Sequence, residues 1–249
     1  MKNTTLSLMF SGGLDSTIAY HYAVKMGHTP QAIHVDLGHP YSHFENEAIK
    51  ISSAKFGIDI TRIDMTSLYP AIEKRLTNQI IPSRNLLLAT IGSMFNSTVW
   101  INALDGEANG KEHDKSYRFF ADGSELLSFT NSFFQDHTNV TSPFLHMSKA
   151  ETIKWALANG LAKEDLFETV TCYSGTHKKC GKCLTCVKRY MAFLLNGIEE
   201  PGYASNPLTS KYAEEVSTEM RKAIENNDHS RFNQKRINEW QLLQSGGTI

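Results

Sequence analysis

Four short apolar runs, residues 4–10, 31–36, 58–64 and 98–103, recur through the first part of the chain, each of strand length and too short for a buried helix. Between them apolar positions repeat every three or four residues, which predicts helices over 15–26, 44–56, 67–77 and 85–95. Strands alternating with helices predict an α/β fold built on a doubly wound parallel sheet. In such a sheet ligands gather at the carboxyl ends of the strands, where residues 11–16, 36–41 and 102–105 all fall. Residues 148–159 read as a further helix, with Ser148 as N-cap and Glu151 as its capping-box partner. From about Tyr212 to Leu243 the chain is polar and helix-prone, with Trp240, Leu242 and Leu243 as packing anchors, and residues 245–249 are expected to fray. The pattern divides the chain into an α/β domain, 1–165, and a C-terminal region, 166–249.

The turn after the first strand is Ser11-Gly12-Gly13-Leu14-Asp15-Ser16. A strand running into a Gly-rich turn that opens a helix aims unpaired N–H groups at one point, where the helix dipole also favours negative charge. Two glycines let the backbone approach an anion, two serines add hydroxyl donors, and Asp15 can hold the Mg²⁺ of a nucleotide. The plainer reading is a Gly-Gly turn capped by Asp15 or Ser16. The spacing fits neither a Walker loop nor a dinucleotide fingerprint. It resembles the PP-loop, Ser-Gly-Gly-x-Asp-Ser, of the ATP pyrophosphatases, which split ATP between its α and β phosphates and leave AMP on a substrate oxygen. That resemblance implies ATP bound by Ser11, Gly12, Gly13, Leu14, Asp15 and Ser16, with Asp36 at the end of the second strand joining them.

A formal charge of −1 over 249 residues argues against an extended nucleic-acid surface, while leaving room for a local basic patch. No apolar run approaches a membrane span, and residues 1–5 enter the first strand without the basic and apolar segments of a leader. A soluble, cytoplasmic protein is expected.

All four cysteines follow the spacing Cys172-x7-Cys180-x2-Cys183-x2-Cys186. Two overlapping Cys-x-x-Cys turns gather three thiolates and a short loop brings the fourth, the donor set of a structural Zn²⁺ site. Gly181 suits the tight turn, and Lys178, Lys179, Lys182, Lys188 and Arg189 would offset the thiolate charge. Disulfides do not suit a chain without an export signal, and an iron–sulfur cluster stays open on thiolates alone. His177 is near enough to substitute as a ligand, but four cysteines make a solvated role the better reading.

Together these motifs resemble the QueC family, 7-cyano-7-deazaguanine synthases, which convert 7-carboxy-7-deazaguanine, ammonia and ATP to the nitrile. The resemblance runs from Leu6 to about Phe193. It rests on the Ser-Gly-Gly loop, Ile81-Pro82-Ser83-Arg84-Asn85, Ser142-Pro143-Phe144 with Ser148-Lys149-Ala150-Glu151, and Thr171-Cys172-Tyr173 leading into the cysteine knuckle and Arg189. Two stretches depart from the family: Leu37-Gly38-His39-Pro40-Tyr41 where a Gln-Arg pair is usual, and residues 122–129 where the family has Tyr-Pro-Asp-Cys-Arg. Thr185 also replaces a serine. The ATP half is intact, and the changed parts are those that touch the acceptor.

The resemblance implies a deazapurine acid and ammonia as small-molecule partners, with Arg84 and Lys149 on phosphate oxygens and Asp15 on Mg²⁺. Each role has a plainer counterpart. Arg84 can pair with a surface carboxylate, and Lys149 in a helix's first turn opposes the dipole unless an anion lies nearby. Asp105 and Glu107 either bind substrate or metal, or form an ordinary turn. His34, His39, His43 and His113 lack a metal-ligand spacing and are expected in core or solvent. Asp122 and Phe129 would face a purine-like acceptor, pairing and stacking. A tRNA-modifying or sulfur-transfer enzyme, and a non-catalytic nucleotide sensor, are the other classes. Dimerisation through the C-terminal helices is left open.

Overall fold

The computed structural model describes residues 4–76, 80–107, 113–174, 178–230 and 232–249. The described residues form a five-stranded, wholly parallel sheet in the order β3-β2-β1-β4-β5. Its strands are β1 (Thr5–Met9), β2 (Thr29–Asp36), β3 (Ile60–Asp64), β4 (Thr98–Trp100) and β5 (Asn139–Thr141). The intervening helices are α1 (Leu14–Lys25), α2 (Ser42–Phe56), α3 (Leu68–Ile72), α4 (Arg84–Ser93) and α5 (Tyr117–Thr130). Beyond the sheet come α6 (Lys149–Ala158), α7 (Lys163–Phe167), α8 (Leu184–Leu194), α9 (Lys211–Glu225) and α10 (Gln234–Gln244).

Period-two alternation in β1 splits the core. Leu6, Leu8 and Phe10 join α1, α2, α6 and α8 on one face, while Met9 joins Ile33, Val99 and the apolar sides of α4 and α5 on the other. Ser7, fully buried on that second face, donates to the Gly92 carbonyl at 2.8 Å. A Cβ at Gly92 would sit 2.6 Å from Val99 Cγ1, so glycine sets how closely α4 approaches β4. The chain lays down β2 and β3 on one side of β1, then crosses to β4 and β5 on the other. That reversal opens a crevice at the carboxyl ends of β1 and β4, where parallel sheets bind ligands.

The expected strands and helices are present, with two instructive shortenings. The fourth strand ends at Trp100 rather than 103 because the Ser142 hydroxyl replaces a backbone partner: it accepts from Ala103 N–H at 3.0 Å and donates to the Ala103 carbonyl at 2.7 Å. The helix expected over 67–77 is α3 plus a 3₁₀ turn, Glu73–Arg75, with Thr77 outside the described residues. The capping box is as read, Ser148 accepting from Glu151 N–H and Glu151 from Ser148 N–H at 2.7 Å. A third apolar cluster, Met220, Ala223, Phe232, Ile237 and Trp240, holds α9 and α10 together. No helix among the described residues is long and apolar enough to cross a membrane.

Candidate functional site

The Ser-Gly-Gly loop sits at the β1/β4 crevice. Gly12 lies in the left-handed region at φ 69°, and a Cβ there would press to 3.0 Å from Ala48 Cβ. Gly13 is the extended N-cap of α1 and has no side chain to cap the helix with. Ser11 and Ser16 organise the turn: Ser16 Oγ donates to the Gly13 carbonyl at 3.0 Å, and Gly13 N–H and Ser16 both meet Ser11 Oγ. The Gly12 carbonyl accepts from Val170 N–H at 3.2 Å, which ties the loop to the segment before the first cysteine. Leu14, 1% exposed, contributes to the core rather than to the crevice.

Lys149, first residue of α6, reaches both oxygens of Asp15, at 2.5 and 2.6 Å. The anion that offsets its place in the helix's first turn is thus the loop's own aspartate. A phosphate arriving at the loop would compete for this lysine and release Asp15.

Arg84 opens α4 from Ser83, which is held in the left-handed region at φ 56°. Asn85 behind it is buried and donates to the Asp114 carbonyl at 3.0 Å. Arg84 lines a cavity of about 170 Å³ with Ser11, His34, His39, Tyr41, Glu45, Asn102 and Tyr173. Arg84 Nε, Asn102 Oδ1, His34 Nε2 and both His39 ring nitrogens are buried there without a partner among the described residues. A heterocycle carrying donors and acceptors would satisfy such a set. Burial, with Arg84 nearby, lowers His39 to about 4, so its ring is neutral at pH 7. Burial raises Glu45 to about 7 against the pull of Arg84. Asp36 stands at the edge: burial lifts it, but donation from Gly38 N–H at 3.0 Å and Asn46 at 2.8 Å outweighs this and holds it below the usual range.

The four cysteine sulfurs lie within 4.8 Å of one another, the one group of this kind among the described residues. Tetrahedral zinc with arms of about 2.3 Å places its sulfurs roughly 3.8 Å apart, and Cys180 and Cys186 stand at 3.9 Å. Backbone N–H groups of Lys182 and Cys183 both point to Cys180 Sγ at 3.4 Å, and those of Ser174 and Cys180 to Cys172 Sγ. Gly181, at φ 75°, is obligatory, since a Cβ would lie 1.8 Å from the Ser205 carbonyl oxygen. The residues fit a resident metal. Arg189 and Lys179 do not serve the thiolates as expected: both bind the buried Glu200, at 2.6 and 2.8 Å. Lys178 instead pairs with Glu47 at 2.9 Å.

A sequence model described as "Queuosine biosynthesis protein QueC" matches residues 5–197. The chain belongs to the QueC family. Its curated relatives include a 7-cyano-7-deazaguanine synthase of Psychromonas ingrahamii, 26% identical over 78% of this chain and 95% of that protein. That of Hahella chejuensis is 29% identical, covering 78% and 90%, and that of Thermoplasma acidophilum 24%, covering 81% and 92%. A 4-thiouridine synthetase in complex with RNA and ATP superposes with a TM-score of 0.44 at 13% identity, over 92% of this chain and 53% of the other.

Within this QueC chain, Ser11, Gly12, Gly13, Asp15, Ser16 and Lys149 come together at the loop, and Arg84 shares the adjoining cavity with Ser11. Asp122 and Phe129 do not join them. They lie on α5, Asp122 in an exposed pair with Arg118 at 3.0 Å and Phe129 79% exposed, because residues 117–130 form a surface helix rather than a site loop. Asp105 is held by Asn233 at 2.9 Å and Lys235 at 3.4 Å. Glu107 receives Leu104 N–H at 3.0 Å and Lys115 at 3.1 Å; burial opposes its charge, but Lys115 and Lys149 bring it down to about 2. His43 meets the Pro40 carbonyl and the Phe44 ring at the surface, while His177 and the His113 side chain lie outside the described residues. Glu45 was missed, and Tyr173 had only its place beside Cys172 as a signal, while Asn102 falls in the strand-end segment 102–105 where ligands were expected.

Proposed function

We propose that this QueC-family chain is an ATP-dependent carbon–nitrogen ligase that adenylates 7-carboxy-7-deazaguanine and joins it to ammonia, ending at 7-cyano-7-deazaguanine. The observation that carries this reading is the donor-lined Ser-Gly-Gly loop with Lys149 bonded to its aspartate and Arg84 in the adjoining cavity. A carboxylate resists nucleophiles and has no leaving group. Attack of its oxygen on the α-phosphorus of ATP forms an acyl–AMP and expels pyrophosphate. Ammonia then adds to the carbonyl, loses a proton and displaces AMP to give the amide. A second ATP adenylates the amide oxygen, again releasing pyrophosphate, and loss of AMP and a proton leaves the nitrile.

The protein's share is positioning and charge stabilisation. Gly12 and Gly13 N–H groups and the Ser11 and Ser16 hydroxyls would hold the pyrophosphate. Lys149 would pass from Asp15 to a phosphate oxygen, and Asp15, so released, would hold Mg²⁺, whose charge offsets that of the phosphates. Asp36 and the unpartnered groups around Arg84 would take the rest of the nucleotide. Cys172, Cys180, Cys183 and Cys186 would hold Zn²⁺ as a structural clasp. With every cysteine of the chain in that cluster, no sulfur is left to act as a carrier, which disfavours sulfur transfer.

Mass spectrometry of a reaction containing ATP, ammonia and 7-carboxy-7-deazaguanine tests the reading. AMP and pyrophosphate should appear only with the acid present, alongside the nitrile. An amide as end product confines the enzyme to the first half of the sequence, and AMP formation indifferent to the acid sinks the assignment.

A further inference from the structure

A second cavity, about 480 Å³, lies between the 104–107 loop, the start of α6, and helices α8, α9 and α10. Residues 198–249, outside the family match, supply α9 and α10 and so much of its wall. Val216 and Met220, four apart on α9, pack with Trp240 and Phe232 along its wall, giving an apolar and aromatic lining. Charged side chains, Asp105, Glu107, Lys149, Lys188, Arg236 and Glu239, and one indole N–H break this apolar lining. Trp240 is 7% exposed, and its indole N–H finds no acceptor among the described residues. Arg236, one turn earlier on α10, has no carboxylate within ion-pair distance among the described residues, and its guanidinium lies across Gly106 so closely that a Cβ there would meet Nε at 2.8 Å. Glu239, three residues on, feels the Arg236 charge without bonding to it, so a cation with no ion-pair contact and an N–H with no acceptor among the described residues stand on one helix face, where an anionic acceptor atom would satisfy both.

The same wall carries Glu239, hydrogen-bonded by Ser148 Oγ, a carboxylate able to take ring N–H donors. Lys149 also lines this cavity while bonded to Asp15, so cavity and phosphate loop meet at one side chain. The helix is clamped in place by Asn233 and Lys235 on Asp105, and by Lys235 on Glu151 at 2.8 Å. Stacking surface, carboxylate and cation thus occur here, in the combination that Asp122 and Phe129 fail to provide.

We propose that this cavity seats the acid acceptor, a planar heteroaromatic carboxylate, and that Arg236 and Trp240 of the C-terminal segment determine its selection. The identity of the acid rests on the ligase reading above; the site itself rests on the cavity.

Binding of 7-carboxy-7-deazaguanine and of 7-deazaguanine, which lacks the carboxylate, is measured by calorimetry on the full chain and on the Arg236→Gln, Arg236→Lys and Trp240→Phe variants. The acid should bind at least tenfold more weakly to Arg236→Gln, with part of the loss restored by Arg236→Lys, and threefold or more weakly to Trp240→Phe. The affinity of 7-deazaguanine should stay within twofold in Arg236→Gln, which a misfolded variant would not show. Equal acid affinity in Arg236→Gln and the parent chain, or no binding of the acid to the parent chain, overturns the inference. AMP formation from the acid with an unchanged KM in Arg236→Gln keeps the ligase and removes this site. Arg236-dependent binding without AMP formation keeps the site and removes the ligase chemistry.

Discussion

Replacing Arg189 by Met should unfold this protein more readily than any surface change and loosen its Ser-Gly-Gly loop as well. Arg189 is 1% exposed; its Nε donates to both Glu200 oxygens at 3.0 and 2.9 Å, and Nη2 donates to the Leu166 carbonyl at 2.7 Å. Nη1 donates to the Thr169 carbonyl at 2.9 Å and to the Thr169 and Thr171 hydroxyls. Met fills most of the volume, so the loss is that of the charge and the donors. Breaking a buried pair from one side costs about 3–5 kcal/mol, and the Thr169 carbonyl also loses its donor, while the Leu166 carbonyl keeps the N–H and hydroxyl of Thr169. Lys179 at 2.8 Å and the Tyr203 hydroxyl at 2.6 Å still hold Glu200, which keeps the total near that range instead of above it. At about 2–4 °C per kcal/mol for a chain of this size, the midpoint should fall by about 6–20 °C. Thermal and urea unfolding of Arg189→Met, Glu200→Gln and the double variant measure it, the double losing less than the sum because the pair is coupled. Val170, between the two threonines, donates to the Gly12 carbonyl, so ATP should also bind more weakly. Burial would raise the Glu200 carboxyl, but Arg189 and Lys179 outweigh it and hold it below its ordinary value. The contribution of the pair is therefore complete above that ordinary value and is lost as pH falls through the depressed one. A single-variant loss under about 1 kcal/mol, or strict additivity in the double, refutes the reasoning.

Removal of metal by a chelator, or Cys183→Ser, should release one equivalent of zinc per chain by elemental analysis and lower the unfolding midpoint; iron with sulfide in the purified protein would contradict the zinc assignment. Gly12→Ala places a Cβ at φ 69° and 3.0 Å from Ala48 Cβ, so it should cost about 1–3 kcal/mol in urea unfolding and raise the KM for ATP at least tenfold. Glu45 has a folded value of about 7, above its ordinary 4.5, so its contribution favours folding fully below the ordinary value and is lost as pH rises through 7. Glu45→Gln should then be more stable than the parent by about 1–3 kcal/mol at pH 8 and no more stable at pH 4; a difference that does not change with pH would contradict this.

Local signals were reliable wherever one short segment contains the whole physical cause. The alternation in β1, the loop at residues 11–16, the capping box at Ser148 and Glu151, and the cysteine spacing each need only neighbours in sequence. Where partners come from far along the chain, local reading failed. Arg189 looks like a counter-charge for thiolates until Glu200 and the carbonyls of Leu166 and Thr169 close around it. Asp122 and Phe129 looked like acceptor contacts because they stand where the family has a different motif, whereas Ser116 caps a helix that carries both outward.

The sequence by itself determined the alternating α/β architecture, the Ser-Gly-Gly turn and the four-cysteine cluster, because backbone conformation and residue spacing are set within a few residues. Tertiary structure decided which charges stay available. Folding gives Lys149 to Asp15, spends Asp105 and Glu107 on α10 and Lys115, and leaves Arg84 Nε and the Trp240 N–H without hydrogen-bond partners among the described residues, each in its own cavity. Whether a buried polar group is already satisfied depends on contacts between residues as far apart as 15 and 149 or 106 and 236, and those distances exist only once the chain has packed.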